Sequence, residues 1–534
     1  MMTKELAVSI QRKTVESRLV RLEDFQCFDC EFQIADVLNM RPALAPYLIS
    51  TDTALTQIVP AIDRDTLKEM DKMGSSALGD VSFAIDGVTA NSRSYLLFTK
   101  MMGCITQFVG MTQLGSNVHV TSAEVVETAR RITEEIRRVG VNVPGAVPRQ
   151  VASVAVYNAG FSMAAQLKEE LAKSEVSKKY LVVRDPSHCV DLLSKDLASH
   201  DFLEPVMAQC KTTAKFCAQD KIRGIKDDMI RTGVIEFCAT PSVPPPTRMY
   251  LSADLLSETM EQQAFLTFVS VFPAYRNYYE SRTAKAKETL DSTFRMFTPA
   301  HFERFAKVGS VFCPLRHCVK ITSSNDCNMS AYLPAIIALK NEIDTALEDP
   351  AFDECLGAGA ASACRDLFKP RWNFDGQKPP GLKVGLLDRW QLCCCLCDPF
   401  SRALPIDYEA YVEGGVSALL EEMLRWAIPC EADEDTEKRR LIRLDFHYFT
   451  TGSGSYGLIF NDDLEKLPAN HILCLHDVSN WVKTTCGHDS RPAWFLLNAP
   501  TSTFFLEIAK PLLSTRITGS KGVEKMAKYF KNLV

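Results

Sequence analysis

The feature that most constrains this chain is a change of grammar. Short β-prone runs begin at Val81 and stop near Ser199, and the residues beyond them are written in a helical period. The run 81–85, Val-Ser-Phe-Ala-Ile, is apolar and closes at Asp86-Gly87. Two further runs, 94–99 and 104–111, flank Lys100-Met-Met-Gly103, which reads as a hairpin. Thr121-Ser-Ala-Glu124 is a capping box; Val125, Ala129, Ile132 and Ile136 carry helical spacing behind it, and Gly140 supplies a stop. Pro144 and Pro148 cross to a strand at 151–156. A helix at 159–172, a strand at 180–183 and a helix carrying Val190, Leu192, Leu193 and Leu197 complete the series.

A three-strand meander followed by two strands that return through helices is the chain order of the ribonuclease-H-like topology. Right-handed crossovers would lay the fourth and fifth strands parallel to the first. The fold class expected is therefore α/β, a ribonuclease-H-like mixed five-stranded sheet interrupted by a large all-helical insertion. On this reading an N-terminal helical region covers 1–80 and the first part of the core 81–199. A helical insertion covers 200–400, a mixed region 401–490, and a C-terminal helical segment completes the core over 491–534. The insertion is broken by the proline-rich 241–246 and the glycine-rich 357–361. Residues 431–440 read as a charged surface linker, and 452–457, Gly-Ser-Gly-Ser-Tyr-Gly, as a flexible turn. In the last segment Leu506, Ala509, Leu512 and Leu513 are spaced for a buried helical face.

Length and composition bound the function classes. A chain of 534 residues exceeds one compact core. No apolar stretch approaches the roughly 18 residues of a membrane span, and the first residues lack an apolar signal core, so the expectation is an intracellular protein without a membrane partner. Nineteen cysteines, clustered at Cys393, Cys394, Cys395 and Cys397, show no disulfide-like rhythm and suit a reducing compartment. A net charge of −6 argues mildly against strong DNA binding, which asks for a basic field.

The chemistry such a core would need is two divalent metals about 3.5–4 Å apart, held by carboxylates from distant segments. Asp86, at the end of the first strand, is the candidate first carboxylate; its alternative is an Asp-Gly turn. The second belongs at the end of the fourth strand, where Tyr157 and Asn158 stand and neither is anionic at neutral pH. Asp185, after the fifth strand, could substitute one strand spacing, about 4.8 Å, farther out; otherwise it is a helix N-cap. Glu524 is the candidate third acid, among Lys521, Lys525, Lys528 and Lys531. Metal binding is thus assigned to Asp86 and Asp185, with magnesium if the site is active and no cofactor otherwise. Cys474, His476, Cys486 and His488 form two Cys-x-His pairs that could bind zinc, whereas Cys27 and Cys30 have no second pair at finger spacing.

Several of these segments resemble the hAT-superfamily DNA transposases and their relatives that carry a domain of unknown function. Residues 81–89 with Arg93-Ser-Tyr-Leu96 resemble the family's Asp-Gly-Trp-Thr/Ser…Arg-Ser opening. Residues 151–159 resemble its Val-Val-Thr-Asp-Asn-Ala strand, with Tyr157 in place of the acid. Residues 184–193 resemble a Cys-x-x-His-x-x-Asn-Leu segment, with Asp185 for the cysteine and His188 kept. Thr247-Arg248-Met249 resembles Thr-Arg-Trp, and Cys397-Asp-Pro-Phe400 resembles Leu-Asp-Pro-Arg. The stretch from Trp494 through Val523-Glu-Lys525 resembles the family's C-terminal hAT-type dimerisation segment.

The resemblance implies a transposase-derived protein of nuclear history, with self-association and a DNA or protein partner, and with Asp86 and Glu524 as vestigial catalytic positions. Substitution at Tyr157, Asp185, Met249 and Lys525 implies loss of strand transfer. Two alternatives stand beside it: a metal-dependent strand-transfer enzyme using Asp86, Asp185 and Glu524, and a helical interaction scaffold unrelated to transposases.

Overall fold

Val81–Ala90 (β1) buries every side chain from Val81 to Ile85, as a strand covered on both faces does. The computed structural model describes residues 81–90, 93–102, 105–113, 151–156, 161–173 and 180–515, the last without 246–247, 296, 325–326, 372–384, 405, 429–432, 454–455, 457–471 and 485–489. Arg93–Met102 (β2) and Ile105–Gln113 (β3) pair antiparallel in succession with β1, and Val151–Val156 (β4) pairs parallel to it, with Ile85 opposite Val156. Leu181–Arg184 (β5) follows β4 in the order β3-β2-β1-β4-β5. Inside the sheet the Ser82 and Ser153 hydroxyls meet at 2.9 Å, and Thr99 donates to the Ala84 carbonyl, so the buried polar groups of these strands are satisfied locally.

Helices dominate the remainder. Phe161–Ala172 (α1) precedes β5, and Pro186–Ala198 (α2) succeeds it. Next come Glu204–Cys217 (α3), Asp220–Arg231 (α4), Ser252–Glu261 (α5), Gln263–Phe268 (α6), Pro273–Glu280 (α7) and Ala284–Phe294 (α8). Pro299–Thr322 (α9), Tyr332–Glu348 (α10), Pro350–Leu356 (α11), Ala360–Phe368 (α12) and Arg389–Cys397 (α13) continue the chain. Gly415–Ala427 (α14), Asp433–Thr451 (α15), Leu475–Thr484 (α16), Ser490–Asn498 (α17), a π-helical turn Phe505–Ala509 and Lys510–Leu513 (α18) end the described residues.

Two compact units divide at Val182/Val183. The first holds the sheet up to the start of β5. In the second, α9 is the central rod: Phe305, Val308, Val311, Phe312, Leu315 and Cys318 form its buried face, Glu303, Ala306, Ser310, Cys313 and Lys320 its exposed one, and it packs on α2, α5 and α10. No helix among the described residues is long and apolar enough to cross a membrane.

The expected α/β, ribonuclease-H-like class is therefore corrected. Most described residues are helical, and the strands form one small sheet that does not organise the molecule. The physical reason lies in what the helices cover. From α2 onward the helices bury apolar side chains against one another within the second unit, α2, α5 and α10 packing on α9.

Local boundaries differ from the sequence expectation as well. Asp86-Gly87 does not end β1: Val88 and Thr89 carry the ladder on, opposite Tyr95 and Ser94. Lys100–Met102 belong to β2, so the β2–β3 turn lies later than the expected hairpin. Asp433–Arg440 is the start of α15, not a linker; acidic residues occupy its first turn, which suits the helix dipole, and Glu437 pairs with Arg440 one turn on. Tyr456, in the supposed flexible turn, is buried and donates to Ser502 Oγ at 2.8 Å. Leu506 is 51% exposed, because Phe504 and Phe505 take the inward face, Phe505 stacking on Phe495 at 4.8 Å. The helix expected at 121–140, and everything before Val81, lies outside the described residues.

Candidate functional site

The end of β5 and the first turns of α2 hold two of the residues singled out for chemistry. Asp185 is buried, with extended backbone, and its Oδ1 accepts the Ser187 N–H at 2.9 Å, while Pro186 occupies the first helical position. It is an N-cap. The Ser187 hydroxyl meets Thr322 Oγ1 at 3.1 Å and so ties the start of α2 to the end of α9. His188 is half-buried, and burial, with a smaller effect from nearby Lys195, lowers its pKa, leaving a neutral imidazole at physiological pH.

One turn beyond stands Asp191, which the sequence motifs do not single out. It is buried and accepts the Tyr250 N–H at 2.9 Å, which pins the short 3-10 turn Met249–Leu251 to α2. Burial pushes its carboxyl up to about 6, against the opposing pull of the Tyr250 and Met249 amides. The signal available in the sequence is a carboxylate three residues after His188, among the apolar positions Val190, Leu193 and Leu197 of the same helix.

The other predicted positions are placed differently. Asp86 lies in β1 opposite Leu97. Its side chain, and Tyr157 and Glu524 with its lysines, lie outside the described residues. Arg248 is half-buried directly before the 3-10 turn Met249–Leu251, and its N–H donates to the Pro245 carbonyl at 2.9 Å. Asp86 and Asp185 belong to separate units. Among the described residues no group of three or more His, Cys, Asp or Glu side chains is arranged to hold a metal ion. The donors described around Asp185 do not fit a two-metal centre: one carboxylate is engaged in capping a helix, and its neighbour is a neutral histidine.

The Cys397-Asp-Pro-Phe400 motif leads to a buried ion pair. Asp398 is fully buried; its carboxylate accepts from the Phe400 N–H at 2.9 Å, from the Arg491 Nε and from the Ser330 hydroxyl. Arg491, 1% exposed, places its guanidinium 5.6 Å from the Phe400 ring centre and 5.7 Å from that of Trp481. The pair joins α13, α17 and the entrance to α10, so this motif acts by positioning elements.

Beside α9 and α10 lies a cleft of about 600 Å³, lined by Cys313, His317, Glu342 and Cys474 among others. Cys313 and His317 stand one turn apart on α9. Glu342 Oε1 accepts the Leu475 N–H at 2.7 Å, and Asn341 donates to the Leu473 carbonyl at 3.0 Å, so α10 holds the start of α16. Of the proposed zinc ligands, the Cys474 thiol contacts Asp477 Oδ2 at 3.1 Å and the His476 ring contacts Asn480 at 2.9 Å; Cys486 and His488 lie outside the described residues. Burial raises the Cys313 and Cys474 thiols and lowers His317, a combination that leaves neutral, weakly nucleophilic groups.

The C-terminal elements present a different surface. α15 turns Ile442, Phe446 and Phe449 inward, and Asp445 Oδ2 accepts the Thr503 N–H at 2.8 Å. Its outer face carries Leu441, Leu444 and Tyr448, all more than a third exposed and spaced i, i+3, i+7. Arg440 and Arg443 flank that stripe, paired with Glu437 and Glu421. Leu497, on α17, is 82% exposed. No family model matches the chain, and no curated protein matches it.

Proposed function

We propose that this chain is a transposase-derived protein that works as a self-associating helical scaffold and does not carry out strand transfer. The observation that carries the reading is the outer face of α15. A helix that buries one apolar face and exposes a second, regularly spaced one is a helix with a second packing partner. The occupant is a second copy of this chain. An apolar stripe bordered by ion-paired residues of both signs is complementary to itself across a two-fold axis, and the ordered resemblance to hAT relatives implies self-association. The surroundings of two aspartates support the non-catalytic part of the reading: Asp185, the possible substitute for the second acid, caps α2, and Asp398 is held by Arg491. A nuclear location and a DNA partner are carried by the resemblance alone.

Sedimentation equilibrium on the full chain tests the reading. The wild type should form a reversible dimer at micromolar concentrations, and Leu441→Glu with Leu444→Glu should return it to monomer with an unchanged melting temperature. A wild type monomeric throughout, or a dimer indifferent to both substitutions, would remove the support. Magnesium- or manganese-dependent nicking of duplex DNA, abolished by Asp86→Asn, would overturn the non-catalytic part.

A further inference from the structure

A pocket of about 580 Å³ opens between α7, α8 and the turn into α9, and it shares no lining residue with the cleft beside α10. Its walls are aromatic. Phe294 stands edge-on to Tyr275 at 5.3 Å and to Phe297 at 5.6 Å between ring centres. The Tyr279 hydroxyl donates to Asp291 Oδ2 at 3.0 Å, and Asp291, which lines the pocket, is exposed. Arg276 stands exposed on the same rim.

The telling group is Tyr275. It is 4% exposed, yet its hydroxyl makes no hydrogen bond among the described residues. Burial first, then Tyr278 and Asp291, push its ionisation far above the ordinary tyrosine range, so it remains a neutral donor at any physiological pH. A buried hydroxyl without a partner destabilises a fold, and phenylalanine would fill the same space without that penalty. A hydroxyl kept in the wall of an aromatic pocket points to a partner that enters from outside.

We infer that this pocket binds a planar nitrogen heterocycle carrying an anionic group, with a mononucleotide as the type. The ring packs among Phe294, Phe297 and Tyr279, a ring acceptor takes the Tyr275 hydroxyl, a ring N–H meets Asp291, and the phosphate meets Arg276. The volume suits a ligand of that size. Guanine sets a carbonyl acceptor beside two N–H donors, so guanosine monophosphate is the probe of choice.

Titration calorimetry on the full chain, with guanosine monophosphate, guanosine and inorganic phosphate as separate probes, tests the assignment. The nucleotide should bind more tightly than the nucleoside, and Arg276→Gln should abolish that difference. Tyr275→Phe should weaken the nucleotide by about tenfold, the worth of one hydrogen bond in a desolvated site, while the ligand-free melting temperature holds or rises. Absence of binding at millimolar nucleotide, phosphate binding as tightly as the nucleotide, or equal affinity in Tyr275→Phe would each overturn the inference. So would a lowered melting temperature in that variant, because the hydroxyl would then have its partner within the fold.

Discussion

Asp398 and Arg491 show how a residue's role is decided by its surroundings. In sequence Asp398 belongs to a short motif, and an aspartate in a motif invites a catalytic reading. In the fold it is a fully buried anion whose charge is matched by one guanidinium and whose oxygens also accept from Ser330 and the Phe400 amide. Removing one partner of such a pair strands the other, so Arg491→Met should lower the unfolding free energy by about 3–5 kcal/mol in urea titration. Adding Asp398→Asn to that variant should recover part of the loss; no recovery would mean the two residues act independently. Asp191 gives a second test, in pH. Its carboxyl ionises near 3.8 when unfolded and near 6 when folded, so between those values the folded state holds the proton more tightly and stability falls as pH rises. Asp191→Asn still accepts the Tyr250 amide but cannot ionise. Its stability should be flatter across that window and, at pH 7, greater by about 1–2 kcal/mol after allowance for solvent screening. Equal slopes in the two proteins would show that another group titrates.

At the scale of elements, α13 and α15 make opposite points. The four clustered cysteines of α13 read in sequence as small apolar residues, and all four are buried with their thiols pushed up by desolvation. Maleimide labelling of the native protein should therefore leave Cys393, Cys394, Cys395 and Cys397 unmodified while exposed Cys313 reacts; rapid labelling within α13 would show that the helix opens. The charge run that opens α15 is legible as polar surface but not as helix. Its helical state depends on Phe446 and Phe449 anchoring the later turns against Phe495 and Phe504, contacts that join residues about fifty positions apart. The same cluster explains Leu506: within the π-helical turn, the stacking of Phe505 on Phe495 settles which side faces inward.

For the whole molecule the division at Val182/Val183 is the feature that changes behaviour in solution. Two units with separate cores need not unfold together, so calorimetry should give a measured enthalpy larger than the van't Hoff value; equality of the two would mean one cooperative unit.

What the sequence determined by itself was the local grammar. β-prone runs, proline and glycine breaks and the helical period past Ser199 arise from backbone and near-neighbour preferences, and β4, β5 and the breaks around 241–246 and 357–361 fall close to where those preferences put them. The tertiary structure decided the rest. Whether a sheet or a helix bundle organises the molecule depends on which apolar faces find each other, and whether Asp185 or Asp398 serves chemistry or architecture depends on which amide or guanidinium the fold brings within hydrogen-bond reach. Burial and pairing are properties of distant contacts, and spacing along one chain does not contain them.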